Sequence, residues 1–383
     1  MATTETGWHT LIRGAKVVDG TGGAVRLEDI AIRDGRIVER AVGLDPNKAR
    51  EVVDASGLWL MPGLLDIHTH LDLEVELAPG LPECVRHGTT TVVVGNCSLG
   101  PTFGAQRSNG DDPILDCFTR VENIPNSVLR KVVDRIDWDS TGAYLEHLDK
   151  LPLGPNIVPL LPHSMLRIEV MGTEAAVTRQ PTADELQRMK ILLQDAMRQG
   201  YAGFSTDAIP FHYLANDPHR DKRIPAQHAT RAELKSLLEV VREHDRVWQC
   251  TPDVADRVGT FLRFFLTSGR LHGKPLKTTA LTAIDLTHER STWKLFPLIA
   301  GLMNSRLLNG RFNDPRVGRD VLIGCLLGTL MQIWLLQVNT LMPGWLGAVA
   351  PRPDLPLHAS ELLVLRGVRV SLAQLFAVAG NAV

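Results

Sequence analysis

An excess of positive or of negative charge is missing from this sequence. Over 383 residues, 41 Lys+Arg against 43 Asp+Glu leave a formal net charge of −2. No basic excess points to nucleic acid. Cysteine is sparse too: five residues, an odd number without regular spacing, argue against a disulfide framework. The opening MATTETGWHTLIRG has no basic stretch leading into an apolar run, so a signal peptide is not expected and a cytoplasmic location is. Charge also vanishes locally, with none between Asp320 and Arg352. Within that gap VLIGCLLGTLMQIWLLQV (321–338) approaches the length needed to cross a bilayer. Two readings of 321–350 compete: a membrane helix, with membrane association through it, or a buried helix covering an open sheet edge. The glycines and glutamines inside it favour the membrane type.

The remaining chain is rich in strand and helix signals. AIRDGRIVER sets Asp34-Gly35 between alternating apolar residues, the mark of a hairpin. Residues 8–60 therefore read as short strands, and 1–60 as a small β-domain. From residue 61 apolar runs of strand length alternate with helical patterns. The runs are GLLDIHTH, TTTVVVGNC (89–97), NIVPLLPHS (156–164), YAGFSTD (201–207), RVWQCTPD (246–253) and PLKTTALTAID (275–285). Capping boxes, Thr182 with Glu185 and Thr230 with Glu233, open two of the intervening helices. Six such units argue for parallel strands buried on both faces, an α/β fold in which eight units would close a barrel. The pattern stops at six.

LLDIHTHLD puts His68 and His70 one residue apart. In a strand, i and i+2 share a face, with the two side chains about 7 Å apart along the chain. Two polar residues on a solvated strand are the plain alternative. The polar residues His68, His70, Cys97, His163, Asp207, Asp253 and Asp285 fall at the C-terminal ends of the runs. In a barrel those ends share the face that carries the active site. His68, His70 and Cys97 offer N, N and S, a set that suits zinc. Such a metal could polarise a carbonyl and activate water to hydrolyse amides, ureas or related bonds.

GLWLMPGLLDIHTHLD followed by HGTTTVVVGNCSLGP resembles the amidohydrolase superfamily, within it the N-acyl-D-amino-acid deacylase (D-aminoacylase) branch. KVVDGTGG…DIAIRDGRIV, LLPHSMLRIEVMG and GFSTD extend the likeness over roughly residues 8 to 310. The resemblance implies an incomplete (β/α)8 TIM-type barrel over 61–312, with a small N-terminal β-sandwich part and zinc as cofactor. It implies hydrolysis of non-peptide C–N bonds in a small N-acyl amino acid or related amide. His68, His70 and Cys97 would hold the metal, Cys97 standing where other relatives carry a carboxylated lysine. His163 and Arg167 would orient the substrate, Arg167 by pairing with its carboxylate.

The sequence departs from that pattern in two places. The family takes further histidine ligands from its fifth and sixth strands, and RVWQCTPD and LKTTALTAID contain none; Cys250, Asp253 and Asp285 are the groups available there. The loop after the fourth strand carries His212, His219 and His228, either as surface groups or as part of a lid. After about residue 312 the likeness ends before the strand that supplies the family's catalytic aspartate, which leaves Asp285 as the candidate replacement. Residues 313–383 read instead as an apolar helical segment. A catalytically impaired relative, kept as a binding or membrane-tethered module, is the alternative function.

Overall fold

The computed structural model describes residues 7–104, 112–122, 124–210, 212–253, 256–280, 283–284, 298–313, 316–317, 362–365 and 368–371. The chain divides into two compact units, Met1–Leu64 and Leu65–Val383.

In the first unit Asp34 and Gly35 both take positive φ, 51° and 70°, as the two-residue turn requires. They join β2 (Arg26–Arg33) to β3 (Arg36–Ala41) in antiparallel register, Arg33 opposite Arg36. β1 (Trp8–Val17) pairs with β2 on one side; β4 (Ala49–Asp54) and β5 (Trp59–Leu60) pair with it in parallel on the other. Buried Asp29 fastens the turns around this sheet, accepting from the backbone N–H groups of Gly14, Gly43 and Leu44 at 2.8–2.9 Å. The expected sandwich is corrected: among the described residues this unit is one five-stranded sheet, not two layers. Its strands form one hydrogen-bonded set, and Leu27, Ile37, Val38, Val52 and Val53 remain exposed on it.

The second unit is α/β. Its main sheet runs β13-β11-β10-β9-β8-β7-β6. The members are β6 (Leu64–Asp66), β7 (Thr89–Val94), β8 (Asn156–Pro162), β9 (Gly203–Thr206), β10 (Val247–Cys250), β11 (Lys277–Ala280) and β13 (Arg311–Asn313). All pairings from β7 to β13 are parallel. The six expected strands are present; the seventh, only three residues long, is too short to show as an apolar run. Among the described residues β6 and β13 are open edges, so the sheet is a half-barrel. Helices Ala183–Gln199 and Arg231–Glu243 make the crossovers that parallel strands require. Their buried faces join Leu161, Phe204 and Trp248 from the strands in one core.

Thr182 and Glu185 form the full reciprocal capping box. The second box is only half made: Thr230 Oγ1 accepts the Glu233 N–H at 3.1 Å, but the Glu233 carboxylate has gone elsewhere.

The apolar helical reading of 313–383 is corrected wherever that segment is described, because those residues are extended. β14 (Arg316–Val317) pairs with β12 (Ala283–Ile284), and β15 (Leu362–Leu365) forms an antiparallel pair with β16 (Val368–Ser371). β-Branched valines and a central glycine in LLVLRGVRVS favour strands over helix. Residues 321–350 and Asp285 lie outside the described residues. Among the described residues no helix is long and apolar enough to cross a membrane.

Candidate metal centre

Two segments that follow neighbouring strands bring the histidine pair and the cysteine together. His68 and His70 follow β6, and their rings meet edge to face with centroids 5.4 Å apart. Cys97 sits in a single 3-10 turn, Asn96–Ser98, directly after β7. Gly95, Cys97 and Ser98 all have positive φ (77°, 49° and 67°), which folds the chain back over the strand ends. Gly95 cannot carry a side chain, since a Cβ there would lie 2.4 Å from the Leu160 carbonyl oxygen.

Side chains from four directions hold this loop. Asp72 Oδ1 accepts the Gly95 N–H at 2.6 Å, and Asn96 Nδ2 donates to the carbonyls of Thr69 and Val93. Ser205 on β9 donates to the Gly95 carbonyl and accepts the Ser98 N–H at 3.1 Å. Gln249 on β10 accepts the Cys97 N–H at 3.0 Å. Two strained non-glycine residues are thereby over-determined by their surroundings, the pattern expected where backbone strain serves a site.

The ligand atoms of His68, His70 and Cys97 all lie within 4.8 Å of one another, the one such group of three among the described residues. Cys97 Sγ is 3.3 Å from His68 Nε2. His70 Nδ1 lies 3.3 Å from Glu122 Oε1 without the alignment of a hydrogen bond. That contact turns Nε2 of His70 away from the carboxylate, as metal-bound imidazoles commonly are. Burial, then the neighbouring His70, holds His68 well below the usual histidine range, so it is neutral at pH 7. Burial, then the carboxylates Asp207, Glu122 and Asp72, pushes the Cys97 thiol well above its ordinary value. Burial also raises Asp72, to about 7. Carboxylates that disfavour a thiolate favour a cation, and a metal reverses the balance by displacing the thiol proton. The N, N, S set, its buried neutral imidazole and its ring of acids fit a zinc-type ion.

His163 and Arg167 are not brought to this cluster. Both are buried and both bind Glu233, whose carboxylate left the capping box to do so. His163 Nε2 lies 2.9 Å from Glu233 Oε1 and the Arg167 guanidinium takes the other oxygen. Arg167 also donates to the carbonyls of Ala176 and Arg179 at 3.1 and 3.3 Å. The His163 ring packs against Phe204 of the helix-side core. Burial pushes the Glu233 carboxyl up, but His163 and Arg167 outweigh it and hold it below the ordinary range. His163 is lowered, chiefly by burial.

Other expected groups are also committed. Cys250 is a buried thiol directed at the Thr279 carbonyl oxygen, 3.6 Å away. Alternation explains why: Gln249 faces Cys97, so its neighbour points to the opposite face. Asp207 binds His212 Nδ1 at 3.0 Å, Thr251 at 2.8 Å and Gln227 at 2.9 Å. His219 is buried, 3.1 Å from Glu174, and His228 is aimed at the Arg223 carbonyl. Sequence reasoning missed Asp72, Glu122, Ser205 and Gln249. Asp72 was within reach, two residues beyond His70; Glu122 carries no local signal, because its role comes from a helix end folded against the site.

A model described as the amidohydrolase family matches residues 51–247, just over half the chain. An uncharacterised protein of Mycobacterium tuberculosis (strain ATCC 25618 / H37Rv) is 39% identical over 306 residues, 78% of this chain and 49% of that protein. The N-acyl-D-aspartate deacylase of Alcaligenes xylosoxydans xylosoxydans is 37% identical over 199 residues, 51% of this chain and 36% of that enzyme. Among solved structures, N-acyl-D-glutamate deacylase from Bordetella bronchiseptica, complexed with zinc and a phosphonate inhibitor, superposes with a TM-score of 0.59 at 25% identity. That match covers 80% of this chain and 58% of the other. The chain thus spans about half the length of the first curated relatives it matches. With the matched region taking in the HxH turn, the GNC loop and strands β6 to β9, this chain belongs to the amidohydrolase family.

Proposed function

We propose that the chain carries the metal-binding half of a hydrolase for non-peptide C–N bonds, with N-acyl amino acids or related amides as the substrate class. The observation that carries this reading is the convergence of His68, His70 and Cys97 within 4.8 Å. These three residues would hold one zinc ion. When bound, the metal supplies Lewis-acid polarisation of a carbonyl and a lowered pKa for an attacking water.

The chain's own residues do the rest. Asp72, Ser205 and Gln249 hold the Cys97 loop in its strained turn. Glu122 steers His70. Low exposure of His68 and Cys97 keeps bulk water from the ligand atoms, which strengthens electrostatic contacts there. His163 and Arg167 enter this reading as a brace between the His163–Met171 helix, which follows β8, and the Arg231–Glu243 helix.

Likeness to the Alcaligenes and Bordetella deacylases supports the substrate class. The candidate base Asp285 is part of the reading on sequence grounds alone. With a ligand set of three, turnover well below about one per second is expected. The test is a panel of N-acyl-D-amino acids, cyclic ureas and imides assayed on the zinc-loaded chain. Slow hydrolysis abolished by Cys97→Ser supports the reading; hydrolysis that Cys97→Ser leaves intact refutes it.

A further inference from the structure

Gln249 has a hydrogen-bonding capacity that the loop does not use. Its Oε1 accepts the Cys97 backbone N–H. Only an oxygen can accept that proton, so the bond fixes which end of the carboxamide is which. Nε2 is the end left over. It is buried and has no hydrogen-bond partner among the described residues, in a side chain only 1% exposed. Amide geometry sets Nε2 roughly 2.3 Å from Oε1. It therefore lies beside the backbone of the residue whose Sγ belongs to the candidate metal group.

The groups flanking Gln249 in the sheet do not take the free amide N–H. Ser205, opposite it on β9, is committed to Gly95 and Ser98. Thr279, opposite it on β11, offers its carbonyl to Cys250. Leaving a buried amide donor unpaired is costly, and an arriving oxygen removes that cost. At a site built to polarise a carbonyl, the arriving oxygen is the carbonyl's own.

Resting on the hydrolase reading above, we propose that Gln249 is a catalytic residue whose Nε2 donates to the carbonyl oxygen of an amide, urea or imide substrate. Water attacks the carbonyl carbon and a C–O bond forms. The π pair moves onto the oxygen, where the Gln249 N–H group stabilises the gathering negative charge. The C–N bond then breaks, and the proton released by water passes to the leaving nitrogen. Gln249 itself gains and loses no proton, so its contribution is independent of pH.

The test uses the whole zinc-loaded chain and an amino-acid methylphosphonate, whose tetrahedral P–O group mimics the attacked carbonyl. Calorimetry compares wild type with Gln249→Glu, which retains an oxygen for the Cys97 N–H and replaces the donor by an acceptor. With both proteins compared at equal zinc content, the inference predicts at least about 100-fold weaker binding, as for loss of one oxyanion donor. A crystal structure of the wild-type complex gives an answer that needs no variant: Nε2 should lie within about 3.2 Å of a phosphonate oxygen. Equal affinity in both proteins, or a phosphonate bound out of reach of Nε2, overturns the role of Gln249 alone. A wild-type chain that binds neither zinc nor phosphonate overturns the hydrolase reading with it.

Discussion

Two buried clusters in the second unit are made from similar groups and end in opposite states. In one, His163, Arg167 and Glu233 close on each other, with Arg167 Nε buried and without a hydrogen-bond partner among the described residues. In the other, His68, His70 and Cys97 converge, while His70 Nδ1, Asp72 Oδ2, Asn96 Oδ1 and Gln249 Nε2 around them lack hydrogen-bond partners among the described residues. In the first cluster the carboxylate and the guanidinium are paired with each other. The second retains capacity for a ligand. Buried histidine alone distinguishes neither; what its neighbours leave unpaired does.

The largest effect should come from breaking the brace. Glu233→Ala leaves Arg167 as an uncompensated buried charge, at a cost of about 3–5 kcal/mol by denaturant unfolding. Folded Glu233 has a depressed pKa, so its stabilising share is complete above the unfolded value near about 4.3 and is lost as pH falls through the lower folded value. The stability gap between wild type and Glu233→Gln should accordingly shrink as the solution is acidified from about pH 5 to about pH 3. A gap that widens on acidification would show the carboxyl to be protonated in the fold.

Next in size is Cys97→Ser, which removes a ligand rather than a partner. Zinc affinity should fall by more than the roughly 100-fold that loss of an outer contact can cause. Glu122→Gln should weaken zinc by about 10- to 100-fold, read by competition with a chromophoric chelator, with the melting temperature of the metal-free chain little changed. An unaltered affinity would mean that His70 is oriented without Glu122.

Thr230→Ala should give the smallest effect, about 1 kcal/mol of stability, because one capping bond is lost. Zinc affinity should not move. A parallel loss of zinc would join the two clusters into one device and end the contrast between them.

Much of this fold was legible. The Asp34-Gly35 turn, the six strands and the Thr182 cap follow from local rules of turn, alternation and capping. The HxH spacing and the GNC loop were legible as candidates because the ligand types stand within short stretches, while the distant Ser205 and Gln249 that hold the loop were not. The shared partner of His163 and Arg167 was not legible: both lie on the helix His163–Met171 that follows β8, and Glu233, which takes both, is 70 residues on from His163. Thr230 and Glu233 satisfied the capping pattern, yet a buried arginine is a stronger partner for a carboxylate than a backbone N–H. The strand β13 escaped because RFN forms no apolar run, and the pair β15–β16 because its apolar residues read as part of a helical segment despite their β-branched valines.

The central claim is that His68, His70 and Cys97 hold a single zinc ion. X-ray absorption at the zinc edge, on chain loaded with one equivalent and dialysed against a mild chelator, addresses it directly. The account predicts at most one retained zinc per chain, with one sulfur near about 2.3 Å and nitrogen near about 2.0–2.1 Å, the sulfur vanishing in Cys97→Ser. A retained zinc without sulfur in its shell, or two zinc ions per chain, would contradict it.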